Sequence, residues 1–198
     1  MRRKQQETVD LWACEREQWA QGVRILCGVD EAGAGPLAGP VYAAAVILPR
    51  EADIPGLNDS KQLTEKQREA LYDVITGMAE AWSVARVEAE EIDATDILSA
   101  RMKAMQLAID GLAVKPDLAL IDGNRDHGKS ASIAAASILA KVSRDRYVSG
   151  ELDCQYPQYQ FAKHKGYGTK LHYAMLDQYG PCPAHRRTFL KKWEDRRT

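Results

Sequence analysis

The stretch ILCGVDEAGAGPLAGPVYAAAVIL, residues 25–48, decides the fold. Ile25 to Val29 is a short apolar run, and Asp30 and Glu31 close it. A buried strand that opens into a loop has this pattern. A glycine-rich turn follows, and Val41 to Leu48 is a second apolar run, hence a second strand. Further along, Trp82 to Val87 alternates as a strand does. Leu118 to Ile121 (LALI) reads as a buried strand ending at Asp122-Gly123-Asn124.

Helical patterns lie between the strands. Thr64 with Gln67 three residues on is a capping-box signature, and Leu71, Val74, Ile75 and Met78 continue at helical spacing. Leu98, Met102, Met105 and Ile109 predict a helix over Ile97–Leu112, and the Ala-rich run Ser132–Tyr147 predicts another. Two shorter helical stretches are expected around Leu171–Tyr179 and Arg186–Trp193. Residues 1–22 are polar, with Trp12 and Trp19 seven apart, as in a helix or arm laid on the domain. Strands interleaved with helices predict an α/β fold with a mixed sheet. The expected organisation is an arm over 1–24, a catalytic domain over 25–150 and a helical substrate-binding part over 151–198, together one compact unit.

Composition fits one globular domain: 198 residues, 45% hydrophobic and 28% charged, which argues against wholesale disorder. Net charge is only −1, but its distribution is uneven. Lys141 to Thr198 carries 12 Lys and Arg against 6 Asp and Glu; Met1 to Ala140 carries 15 against 22. A basic C-terminal third beside an acidic remainder suits a polyanion-binding surface next to a carboxylate site. Cys14, Cys27, Cys154 and Cys182 form no C-x-x-C pair, which argues against zinc. No run reaches membrane-spanning length, so a reducing cytoplasm with free thiols is the expectation.

Asp30, Glu31 and Asp122 each follow an apolar strand, and adjacent strand ends bring such acids together at the carboxyl edge of a sheet. Clustered carboxylates repel, and burial raises the cost; a divalent cation removes both problems. Oxygen-only ligands favour Mg²⁺ or Mn²⁺ over zinc. The loop Gly33-Ala34-Gly35-Pro36-Leu37-Ala38-Gly39 is spaced G-x-G-x-x-x-G and leads into a strand, unlike a dinucleotide fingerprint. A nucleotide-cofactor oxidoreductase would also leave the acids without a role. A tight loop approaching a sugar-phosphate fits better. The stretch Lys163 to Lys170 (KHKGYGTK) interleaves basic residues with Tyr167, a combination suited to phosphates and to stacking on a sugar or base.

Taken together, residues 25–48, LNDSKQLTEKQRE (57–69), LIDGN (120–124), SIAAASILAKVSRDRY (132–147), YPQYQFAKHKGYGTKLH (156–172) and HRRTF (185–189) resemble the ribonuclease HII family in order and wording, from about Cys27 to Trp193. The resemblance implies a ribonuclease H-like mixed sheet flanked by helices, with a small helical C-terminal part. It implies an endoribonuclease that hydrolyses RNA in RNA–DNA hybrids and cuts 5′ of single ribonucleotides in duplex DNA by two-metal-ion hydrolysis with Mn²⁺ or Mg²⁺, acting as a cytoplasmic monomer. Asp30, Glu31 and Asp122 match three of the family's four metal-site carboxylates. Tyr167 matches the tyrosine that packs on deoxyribose at the RNA–DNA junction. Gly33, Ala34, Gly35, Asn58, Lys61 and Lys165 are the further candidate substrate contacts.

Two departures stand out. The family's first loop reads Gly-Arg-Gly, where this chain has Gly33-Ala34-Gly35. After the DGN motif the family has a loop and a strand ending in the fourth carboxylate. Here Asp122 to Gly128 runs almost directly into Lys129-Ser130-Ala131, so about fifteen to twenty residues, enough for an edge strand and its loop, are absent. Asp126 is the candidate replacement acid. The departures raise a second reading, a catalytically weakened or inactive hybrid-binding relative.

Overall fold

The computed structural model describes residues 10–122 and 130–196; Asp126 lies outside them. Four strands form one sheet: β1 (Leu26–Ala32), β2 (Val41–Ile47), β3 (Ala81–Val87) and β4 (Leu118–Ile121), in the order β3-β2-β1-β4. β2 runs antiparallel to both β1 and β3, whereas β4 runs parallel to β1, so the sheet is mixed as expected. The helices are α1 (Ala13–Ala20), α2 (Glu65–Met78), α3 (Ala89–Ala94), α4 (Ile97–Asp110), α5 (Ala131–Tyr147), α6 (Asp153–Gln155), α7 (Phe161–His164), α8 (Lys170–Tyr179) and α9 (Lys191–Glu194). No helix among the described residues is long and apolar enough to cross a membrane.

The pleat divides the apolar residues of β1 and β2 between two cores. Ala44 and Val46 face α5 and α2, packing on Ala135, Ile138, Leu139, Leu71 and Ile75. Cys27, Val29, Val41, Ala43, Ala45 and Ile47 face α4. Ile138 and Leu139 are fully buried, each contributing about 1.5–3 kcal/mol from apolar burial. α5 lies so close to β1 that a Cβ on Gly28 would sit 2.1 Å from the Ser132 carbonyl carbon. Only glycine allows that approach, which brings the start of α5 against Gly28 within β1.

Helix starts follow local chemistry. Thr64 and Gln67 make the expected capping box, with Gln67 Oε1 accepting the Thr64 N–H at 2.9 Å. Asp96 caps α4 through the N–H groups of Leu98 and Ser99, at 2.8 and 3.0 Å.

The helix expected over Ile97–Leu112 forms, but its spacing does not say which side is buried, and the reading of Leu118–Ile121 as a buried strand is corrected. On α4 the buried stripe is Ala100, Ala104, Met105 and Ala108, whereas Leu98 and Met102 are more than half exposed. The flat Ala-rich face of the sheet favours small helix residues that permit close packing. β4 is only half-buried and Ile121 is exposed, because among the described residues β4 is an edge strand.

A third core builds the C-terminal part around Leu152, Tyr159, Phe161, Leu176, Leu190 and Trp193. It includes Leu37 and Ala38 of the glycine-rich loop, so that loop is bound into the C-terminal part.

Candidate active site

β1 and β4 are parallel neighbours, and Val29 is registered with Ile121. The Asp122 N–H donates to the Val29 carbonyl at 3.1 Å. Asp30 and Asp122 therefore lie side by side, although Asp30 sits within β1, paired with Ala44, and only Asp122 lies past a strand end. Both line a pocket of about 120 Å³ with Leu11, Asp59, Ser130 and Ser137. Asp30 is 6% exposed, and its Oδ1 accepts the Glu31 N–H at 2.7 Å. Burial pushes its carboxyl up to about 8, against the lowering effect of that N–H; the charges of Glu31 and Asp122 add to the rise. A buried acid flanked by carboxylates has a strong demand for a proton or a cation.

Glu31 is the next residue on β1 and points to the opposite face, as strand geometry requires. Its Oε1 lies 2.5 Å from Nη2 of Arg101 on α4. It lines a second, adjoining pocket of about 300 Å³ with Gly33, Ala34, Lys61, Lys141 and Tyr167. Among the described residues no three carboxylate, His or Cys side chains converge as a ready metal-ligand group. The structure thus brings Asp30 and Asp122 together and leaves Glu31 on Arg101. The oxygen-only pair, with Asp59 beside it, fits a hard divalent cation, whose charge would offset the burial and repulsion that raise Asp30.

The second pocket has the character of a polyanion site. Lys61, Arg68 and Lys141 line it with Tyr167, which is 41% exposed. Lys141 Nζ and Arg144 Cζ each lie 5.8 Å from the centre of that ring. Lys165 is not part of the lining: its ammonium bonds to Ser149 Oγ, and its carbonyl accepts from Arg144. Asn58 lines neither pocket and uses its Oδ1 to accept the Asp59 N–H at 2.9 Å. Gly35 is exposed and also lies outside both linings.

The residues that shape this region were not singled out from the sequence. Arg186 is fully buried and donates to the carbonyls of Gly33, Ala34 and Gly39 at 2.7, 2.9 and 3.0 Å. Arg144, also fully buried, donates to Pro40, Ala38 and Lys165 carbonyls. Burial lowers both guanidiniums, and Arg186 falls to about 9, with Arg144's charge adding to the effect. Gly33 takes φ +93°, and a Cβ there would lie 2.1 Å from Arg144 Nε. The loop that carries the Ala34 departure is thus held from beneath by two arginines. Their only signal in the sequence was membership of SIAAASILAKVSRDRY and HRRTF. Asp59 was read only as part of the stretch LNDSKQLTEKQRE.

The sequence and the fold both resemble those of known proteins. The family model for ribonuclease HII matches residues 27–131 and 124–193. Ribonuclease HII of Caldicellulosiruptor bescii is 48% identical over 198 aligned positions, covering 93% of this chain and 96% of that protein. The Dechloromonas aromatica enzyme is 53% identical, over 84% and 91% of the two chains. The crystal structure of ribonuclease H2 from Pyrococcus horikoshii has a TM-score of 0.69 at 27% identity, covering 87% of this chain and 98% of that one. With C. bescii, 93% of 198 residues is about 184, so about 14 of the 198 aligned positions face no residue here. With Caldicellulosiruptor saccharolyticus, 86% of this chain is about 170 residues against 184 aligned positions, again a difference of about 14. The two family-model matches meet over 124–131, where the motif spacing had implied a missing segment. The family-model matches include Asp30, Asp122, Tyr167 and both arginine-bearing motifs: the chain belongs to the ribonuclease HII family, metal-dependent hydrolases of the ribonuclease H type.

Proposed function

We propose that this chain cuts the RNA strand of RNA–DNA hybrids, and cuts 5′ of single ribonucleotides in duplex DNA, by two-metal-ion hydrolysis with Mn²⁺ or Mg²⁺. One observation carries the reading: the Asp30–Asp122 pocket adjoins a basic pocket that presents Tyr167. Divalent cations in such a site acidify water and offset charge at the scissile phosphate. Asp30 and Asp122 are the proposed ligands, with Glu31 recruited from Arg101. Lys61, Arg68 and Lys141 hold phosphates, and the backbone of Gly33 and Ala34 approaches the ribose, whose 2′-hydroxyl marks RNA. The Tyr167 ring packs on the neighbouring deoxyribose. The products are a 3′-hydroxyl and a 5′-phosphate. The protein is read as a cytoplasmic monomer. No observation favours an inactive hybrid-binding protein over a nuclease.

The test compares three labelled duplexes: all DNA, DNA with one ribonucleotide, and an RNA–DNA hybrid. Cleavage of the last two and not the first supports the proposal; cleavage of all three alike would refute it.

A further inference from the structure

Three buried histidines lie beneath the turn that carries Tyr167, and no role above uses them. His172, on α8, has Nδ1 3.0 Å from the Tyr167 carbonyl and Nε2 2.9 Å from Nε2 of His185. His185 Nδ1 lies 3.0 Å from the Cys182 backbone nitrogen and 3.1 Å from its Sγ. A backbone N–H can only donate, so His185 Nδ1 is an acceptor. The neutral ring therefore carries its proton on Nε2 and donates it to His172 Nε2. His172 in turn carries its proton on Nδ1 and donates to Tyr167. One backbone N–H thus sets the direction of every bond in the chain. His164 is set in the same way: Nδ1 accepts from Gly166 at 3.2 Å, and Nε2 donates to the Tyr159 carbonyl at 2.8 Å.

We propose that His172 and His185 are positioning residues for Tyr167, a tautomer-locked relay that fixes the junction-reading turn to the backbone at Cys182. The relay suits a rigid connection. Its far end adjoins Arg186, which holds the Gly33–Gly39 loop, so the two substrate-facing loops share one support. His164 stacks on His172 at 4.3 Å, and Tyr159 and Phe161 close over His185 at 4.9 and 5.7 Å. Burial also drives His172 down to about 4 and His185 to about 3, so both rings are neutral at working pH.

The proposal rests on the junction role of Tyr167, and its test keeps the two apart. Long-range ¹⁵N–¹H NMR at neutral pH should find His172 as the Nδ1–H tautomer and His185 as the Nε2–H tautomer. The opposite tautomer or a cation at either ring would overturn the relay. His172→Leu removes the donor, whereas His172→Asn keeps a donor near the Nδ1 position. His172→Leu should lower kcat/KM on a single-ribonucleotide duplex about tenfold relative to a continuous hybrid, the scale of one lost hydrogen bond, and His172→Asn should recover most of it. Equal loss on both substrates, or no loss, would refute positioning. If His172→Leu does not fold, the wild-type tautomers still decide. Tyr167→Ala is measured alongside. If it is indistinguishable from wild type at the junction, the parent reading fails; if Tyr167→Ala is impaired and His172→Leu is not, only the relay fails.

Discussion

Glu31 is ion-paired with Arg101 at 2.5 Å on the face of the sheet opposite Asp30. The pair is largely shielded, with side-chain exposures of 13% and 34%. Arg101 therefore competes with any cation that would recruit Glu31.

Arg101→Gln should lower the Mn²⁺ or Mg²⁺ concentration giving half-maximal cleavage. An exposed pair is worth about 1 kcal/mol at most, and this one is more shielded, so the shift should be about fivefold or more. A metal titration of activity checks it. A higher requirement would mean that Arg101 supports the site instead of competing for it.

Arg186→Met should destabilise the protein by about 3 kcal/mol or more, because it leaves the buried carbonyls of Gly33 and Gly39 and the half-buried one of Ala34 without their donor. Urea denaturation measures this. A loss under about 1 kcal/mol would mean that water replaces the guanidinium readily.

Tyr167→Ala should weaken cleavage at a single ribonucleotide by about 1–3 kcal/mol in kcat/KM, the value of one lost stacking contact. Bulk duplex affinity should change little, because phosphate contacts dominate it. Cleavage and filter binding across a salt series separate the two effects. Wild-type behaviour at all salt concentrations would return Tyr167 to a packing role.

The pH dependence has a definite sign. Asp30 rises from an ordinary 3.8 to about 8 on folding, mainly through burial, so the folded state holds a proton that the unfolded state releases. Its contribution to stability is present below pH 3.8 and is lost as pH rises to about 8. The metal-free protein should lose thermal stability across that window relative to Asp30→Asn, and divalent cation should restore it. Parallel melting curves for the two proteins would contradict the assignment.

Much of the architecture was legible because burial leaves a periodic trace. The Val and Ala runs of β1 and β2, the capping box at Thr64 and the Ala-rich α5 all fall where the pattern put them. Asp30 and Asp122 were legible as acids closing apolar strands. Glu31 was grouped with them by adjacency, although the two-residue period of a strand sends it to the other face. Arg144 and Arg186 left no trace beyond their membership of two motifs, because their partners are backbone carbonyls, which every residue type supplies. Leu98 and Met102 misled because helical spacing reports a stripe without saying which stripe faces the sheet. Ile121 misled because an apolar edge strand and an apolar central strand read alike.

Asp30 and Asp122 are proposed to hold the cations that cut RNA in duplex nucleic acid. The most direct measurement is cleavage of a single-ribonucleotide duplex with Mn²⁺, Mg²⁺ or EDTA, by the wild type and by folded Asp30→Asn and Asp122→Asn. The expected result is a metal-dependent nick 5′ of the ribonucleotide, leaving a 3′-hydroxyl and a 5′-phosphate and falling to background in both variants, because a neutral amide is a poor hard-cation ligand. Near-normal turnover in either variant, or cleavage in EDTA that leaves a 2′,3′-cyclic phosphate, would contradict it.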